Sequence, residues 1–342
     1  MKHRAFFMTI AIAALIIAPI ACKKKTGGPI VYVAGLERTP QGSSIATLWK
    51  NGVAQRLSGK DNYACGHSVF VSDSDVYVVG FERTGENLAV ATLWKNGVAQ
   101  RLSDGSFGTF ATSVFVSGKD VYVAGYESNA KDNRVAVLWK NGDVQRLGDE
   151  NWDTEAHSVY VSGTDVYVAG HEMKMVGKSV ATLWKNGEAV HLSDGSGDAD
   201  AKSVFVLGND VYVAGSEGTP QTNRILTLWK NGVAQRVSDG SVHAHANSVF
   251  VSGSDVYVAG FESGAPNNYV ATLWKNGVAQ RIDNGDPVAL AQSVFVFGQD
   301  VYVAIKGQGG MQENACVSKN GSVQTLLGDE GSATEAWSVF VK

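Results

Sequence analysis

The sequence predicts an all-β protein, a seven-bladed β-propeller with four antiparallel strands per blade. Three observations carry that expectation. The tetrapeptide Val-Tyr-Val-Ala, or Val-Tyr-Val-Val once, begins at Val31, Val76, Val121, Val166, Val211, Val256 and Val301, a constant step of 45 residues. A step of that size is the sequence mark of stacked units and matches one four-stranded blade. Each unit can be divided into four short apolar runs separated by turn residues. Finally, the repeat is out of phase with the chain: it opens on a second strand and closes on a first one.

The copy from Ser248 shows how each element is specified. Ser248 to Val251 alternates small and large residues of the β-favouring kind, giving strand a. Ser252-Gly253-Ser254-Asp255 is a turn, with Gly253 free to take positive φ and Asp255 able to bond its own backbone two residues on. Val256 to Gly260 is strand b, and a loop from about Ser263 to Asn268 follows. Val270 to Trp274 is strand c. Asn276-Gly277 marks a two-residue type I′ hairpin, since both positions need positive φ. Val278 to Ile282 is strand d.

A single such sheet cannot bury both faces, whereas seven around an axis can. Trp49, Trp94, Trp139, Trp184, Trp229 and Trp274 share one position on strand c and are expected in the core between blades. Ser318 stands there in the seventh copy, whose blade is therefore expected to pack less well. The phase predicts closure: Ser338 to Val341 supplies strand a of the first blade, beside Val31.

Composition sets further limits. The 342 residues include 39 glycines, which suits many short strands joined by tight turns. The formal charge is −4, becoming −6 without Lys2 and Arg4 and −9 without Lys23, Lys24 and Lys25. An acidic body of this kind argues against a nucleic-acid partner. Residues 1–21 carry a basic start and an apolar run from Ala5 to Ile20, and read as a secretory signal. Ala21-Cys22 resembles the end of a bacterial lipoprotein signal, although Pro19 and Ile20 depart from the usual pattern. That resemblance implies a lipidated (palmitate-type) Cys22, a short tether over 22–29, a propeller over 30–342 and a membrane reached only through the lipid. Lys23, not Asp, then favours the outer membrane or cell surface. A plain secretory signal is the other reading, and both are extracytoplasmic. Cys65 and Cys316 lie in the first and last repeats and are read either as a disulfide or as two thiols.

Comparing the seven copies with each other separates scaffold from site. The a–b turns (Asp75, Asp120, Asp165, Asp210, Asp255, Asp300) and the Lys-Asn-Gly c–d turns hardly vary. The b–c and d–a loops vary widely. In an up-and-down sheet these two groups fall on opposite faces of the disc, and variable loops on a rigid scaffold are where binding usually resides. Just before strand a, every second residue is Ala, Thr or Gly, and the residues between them are free. The free positions give the candidate ligand-binding set: Tyr63, His67, Phe110, Thr112, Asp153, Glu155, His157, Asp198, Asp200, Lys202, His243, His245, Asn247, Leu290, Gln292, Glu335 and Trp337. Strand alternation places them on one side, expected to ring the mouth of the central channel. A second free position follows strand b at Leu36, Phe81, Tyr126, His171, Ser216 and Phe261. The Glu after it (Glu37, Glu82, Glu127, Glu172, Glu217, Glu262) is constant and read as structural.

Asp153, Glu155 and His157 adjoin Asp198 and Asp200, then His243 and His245. His-x-His on a strand could suit a metal, and paired carboxylates could serve glycoside hydrolysis. The sequence holds no Ser-His-Asp pattern, phosphate loop or cysteine-nucleophile setting. No metal or cofactor is expected. The apolar arc from Val288 and Leu290 through Trp337 to Tyr63 suits a protein or glycan ligand better than a reaction. The expectation is a monomeric, non-catalytic binding protein. Its alternatives are a glycan hydrolase or lyase using the acidic arc and a structural envelope scaffold.

Over residues 30 to 342 the repeats resemble the highly repetitive bacterial β-propellers, whose blades look recently copied from one another. The repeats lack the Trp-Asp and Gly-His signature of WD40 blades, the paired glycines of kelch and the Asp-box of sialidases. The resemblance therefore implies architecture, and no functional residue is carried over.

Overall fold

The computed structural model describes residues 27–342, apart from 61–62, 84–87, 176–177, 220–221, 264–267, 283–285 and 308–313. The signal segment, Cys22 and most of the tether lie outside the described residues, as does the middle of the 263–268 loop. Those described form 28 strands in seven four-stranded antiparallel sheets, with no helix among them. Strand a of blade 1 is Ala333–Val341, paired with Val31–Arg38, so the chain's end completes its first blade. Blades 2 to 7 follow in order, with a strands at Ala64–Ser72, Thr109–Ser117, Thr154–Ser162, Asp198–Leu207, Ala244–Ser252 and Ala289–Phe297.

Strand a is longer than the sequence suggests, because the alternating segment before Ser248 belongs to it. It also carries an irregularity the sequence reading did not anticipate. In all seven blades the a–b register slips by one residue, leaving His67, Thr112, His157, Lys202, Asn247, Gln292 and Trp337 as the extra residue of a β-bulge. A bulge re-aims a side chain. Opposite it in six blades stands a glycine on strand b. A Cβ at Gly260 would lie 1.8 Å from the His245 carbonyl oxygen, and one at Gly125 2.0 Å from that of Phe110.

The core consists of seven clusters, each between adjacent blades. Trp139 of blade 3, for example, packs with Tyr77, Val79, Ala91 and Leu93 of blade 2. All six tryptophans are buried, as expected. Blade 7 corrects the expectation of poorer packing. Ser318 is buried, and Ile305 stands where the other blades have the bulge glycine, fully buried with Val303 and Cys316. In blades 3 and 4 the tryptophan ring edge lies over that glycine. Blade 7 thus exchanges a Gly–Trp pair for an Ile–Ser pair, which keeps the layer filled.

Two rings close the disc at the axis. The N–H of the Val directly after each strand-a Ser donates to the Ser Oγ of the preceding blade at 3.0–3.3 Å, from Val69 to Ser338 round to Val339 to Ser293. Beside them Phe70, Phe115, Tyr160, Phe205, Phe250, Phe295 and Phe340 form an unbroken belt, with neighbouring centroids 4.7–5.0 Å apart. Their interplanar angles of 47–54° match one seventh of a turn. Such chords place the ring centres on a circle of about 5.6 Å radius, close contact for aromatic pairs.

The constant turns gather at one end. In each c–d turn Asn and Gly both have positive φ, 51° and 81° at Asn276 and Gly277, as a type I′ hairpin requires. Asn276 Oδ1 accepts the Val256 N–H, and its Nδ2 donates to Asp255 Oδ1. Asp255 Oδ2 meets Lys275 Nζ at 2.8 Å and the Tyr257 hydroxyl at 3.3 Å. The turn aspartates therefore latch the a–b turn to the c–d turn, where the sequence suggested a bond to their own backbone. Lys275 and Asn276 hold the Asp255 carboxyl below its usual range. The constant Glu is structural too: Glu37 accepts from Arg56 of strand d at 2.9 Å and from the Asp329 N–H at 3.3 Å.

Candidate functional site

The free positions form tiers descending into the channel from the variable-loop end. The outermost comprises Tyr63, Asp153, Asp198 and His243. The middle tier comprises Cys65, Phe110, Glu155, Asp200, His245, Leu290 and Glu335. Each of these pairs across to the second free position of strand b, as Glu155 does to His171 and Phe110 to Tyr126. The bulge residues form the third tier and reach round the ring. Thr112 Oγ1 donates to the Ala156 carbonyl at 2.8 Å and Asn247 Nδ2 to the Ala291 carbonyl at 3.0 Å, each on the next blade. Three residues further down lies the aromatic belt, about 10 Å deeper at strand rise. The Ala, Thr and Gly positions between the tiers are all buried.

The mouth has two unlike arcs. Trp337, His67, Phe81, Phe110 and Tyr126 make a continuous chain of rings, with centroid steps of 5.5, 5.6, 4.9 and 5.0 Å. Lys306 Nζ caps one end, 4.6 Å from the Trp337 ring, and Arg134 the other, 6.0 Å from Tyr126. The second arc is ionic. Arg134 pairs with Glu155 and, at 3.5 Å, with Asp153. Arg224 pairs with Asp198 and, at 3.3 Å, with Asp200, which also meets Lys202 at 3.4 Å. Burial works against ionised Asp200, but Lys202 and Arg224 outweigh it and hold its carboxyl low. His245 closes the arc, stacked on Phe261 at 4.7 Å and 13°.

Not every candidate faces the opening. Cys65 is buried, and burial pushes its thiol pKa up. Glu335 is buried between Lys306 at 2.9 Å and Arg38 at 2.7 Å, and these two keep it ionised against burial. It therefore fastens blade 7 to blade 1. Leu290 and Gln292 are partly buried on the wall of blade 7, and Tyr63 is 46% exposed, under Arg83. Cys65 and Cys316 are not joined by a disulfide; Cys316 lies in the core between blades 6 and 7.

The two histidines of the His-x-His pair have separate partners: His243 accepts the Arg224 N–H through Nδ1 at 2.9 Å, while His245 stacks on Phe261. The histidines that meet are His157 and His171, with Nε2 and Nδ1 3.2 Å apart. Sequence reasoning missed Arg134 and Arg224, which share the opening position of strand c. Comparing that position across copies (Ser44, Ala89, Arg134, Ser179, Arg224, Tyr269) would have shown it to be a third free site. Neither a known protein family nor a curated protein matches the chain.

Proposed function

We propose that the protein is a non-catalytic, lectin-like binding module that takes a neutral glycan at the channel mouth, held outside the cytoplasm by a lipid on Cys22. One observation carries the glycan reading: the aromatic chain lies beside charges that are already paired with one another. The five cations Arg38, Arg134, Lys202, Arg224 and Lys306 are matched by the five carboxylates Asp153, Glu155, Asp198, Asp200 and Glu335. A charged partner would lack a complementary field. Ring faces with polar groups beside them suit a sugar's apolar face and hydroxyls. The down-shifted Asp200 and Glu335 are held ionised, so neither is the raised-pKa general acid that glycoside hydrolysis needs. The anchor rests on the residues around Cys22.

Glycan and peptide arrays, followed by calorimetry on the best hit, test this. Trp337→Ala and Phe110→Ala should each weaken glycan binding about tenfold or more, as loss of an aromatic anchor does. Val98→Ser, on an exposed strand at the outer rim, should leave it unchanged. Release of shorter products would make the protein a hydrolase or lyase. Hits confined to peptides would move the partner class to protein.

A further inference from the structure

We propose that Glu155, His157 and His171 form a binding site for one divalent cation of the zinc class, with a coordination position left open toward the channel mouth. The ligand atoms of the three lie within 4.8 Å of one another. His157 Nε2 is 3.2 Å from His171 Nδ1 and 3.9 Å from Glu155 Oε2. Zinc bonds of roughly 2.0–2.2 Å in a tetrahedron place ligand atoms about 3.3 to 3.6 Å apart, so a small contraction of the cluster reaches binding size.

The fold builds this cluster from register. Glu155 and His171 are directly opposed on strands a and b, and His157 is the bulge residue two positions on. Its ring and the Glu155 carboxylate are both 13% exposed. Blade 4 alone brings three ligand side chains to these positions. The same places hold Phe110, Thr112 and Tyr126 in blade 3, and Asp200, Lys202 and Ser216 in blade 5.

A second observation is the convergence of polar atoms on one nitrogen. His157 Nε2 faces three polar atoms at once: His171 Nδ1, Glu155 Oε2 and Lys202 Nζ at 3.1 Å. One imidazole nitrogen offers a single hydrogen-bonding position. A cation would take the lone pairs of all three ligand groups together. Lys202 can retire onto Asp200 Oδ2, already 3.4 Å away. Arg134 holds the other oxygen of Glu155, the outer-shell contact that orients a ligating carboxylate. Burial lowers the pKa of both imidazoles, favouring the neutral form that ligates. Two histidines and one carboxylate leave the fourth position for water or for an oxygen of the molecule in the mouth. The inference does not depend on the glycan reading, because its test uses the metal alone.

The test is calorimetric titration of the full chain with Zn2+, with Co2+ absorption spectra to read the geometry. A single ion per chain and an intense four- or five-coordinate Co2+ spectrum are expected. His171→Phe copies the residue of blades 2 and 6, and His157→Thr copies that of blade 3, so both variants should fold. Each should weaken Zn2+ binding by at least about 100-fold, since removing even a second-shell partner costs 10–100-fold. Lys202→Met should tighten it. Absence of stoichiometric binding, or unchanged affinity in the His157→Thr/His171→Phe double variant, overturns the proposal.

Discussion

At the residue scale the mouth is built from side chains that a propeller core does not need, and their burial has a cost in pH range. Burial, with Arg224 next, lowers the His245 pKa to about 4, and burial lowers that of His67 as well. An unfolded chain titrates these rings near 6.5. Between the two values the unfolded state binds more protons, so stability must fall as pH falls. The drop from the usual value to about 4 for His245 corresponds to a few kcal/mol once pH 4 is reached. Below that, Asp200 and Glu335, both shifted down by cationic neighbours, lose their pairing and add to the loss. In chelator, the melting temperature should fall steadily from pH 7.5 to 4.5, and His245→Leu, the residue type of blade 7, should flatten part of that slope. A melting temperature that is level or rising over the same interval would refute it. The free positions could be found in the sequence because their neighbours are restricted to Ala, Thr or Gly. Their individual fates could not. Cys65 and Glu335 obey the same alternation as Phe110, yet cross-strand partners bury them, and a one-dimensional pattern does not reveal that Leu36 and Lys306 cover Glu335.

At the element scale, strand a carries most of the architecture. It supplies the inner edge, the Ser Oγ acceptors, the aromatic belt and the bulge. The strand itself was legible through period-2 alternation. The bulge was not recognised, although it shifts that alternation by one residue: Ala244 and Ala246 are buried before it, Val249 and Val251 after it. Ile305 and Ser318 teach a related lesson: Ser318 read alone looks like a lost anchor, but on strand b, two residues past its cross-strand partner Val303, the usual glycine has become Ile305. The C-terminal copy of strand a does all these tasks for blade 1. Lys342 N–H and Ile30 N–H each donate to the other's carbonyl, at 3.0 and 2.8 Å, Ser338 accepts from Val69, and Phe340 joins the belt between Phe295 and Phe70. Deleting residues 338–342 removes the main-chain pairs, one Ser acceptor and one of seven belt rings together. Losing a buried aromatic alone costs about 3–5 kcal/mol. The truncated chain should melt more than about 10 °C lower or lose its cooperative transition. Scanning calorimetry reads this directly, and an unchanged transition would show that the ring does not depend on its clasp.

At the scale of the whole molecule, the question is whether the junction between the chain's ends differs from the other six. In the contacts that every blade repeats it does not, although the buried Lys306–Glu335 pair is an addition at this junction. The seam through blade 1 has the same Ser-to-Val bonds, 3.2 and 3.3 Å, within the 3.0–3.3 Å range of the rest. Its belt contacts, 5.0 and 4.7 Å, are those found elsewhere. The a–b pairing inside blade 1 carries the same bulge, although its two strands are almost 300 residues apart in sequence. Stability in such a ring approximates a sum of blade terms and seam terms, and both the repeated contacts and the Lys306–Glu335 pair survive a change in where the chain is cut. A circular permutant that moves residues 333–342 ahead of Pro29 through a short linker should therefore keep the disc. Covalent closure of blade 1 would open the chain at blade 7, after strand d, on the variable-loop end where breaks are tolerated. Its guanidinium midpoint should match the parent within experimental error, with the same m value, because the surface buried is unchanged. It should also refold faster, since the longest-range strand pairing has become local. A permutant that is markedly less stable would mean that the constant seams are not equivalent, and that the order of the copies, not only their number, is part of what holds the disc together.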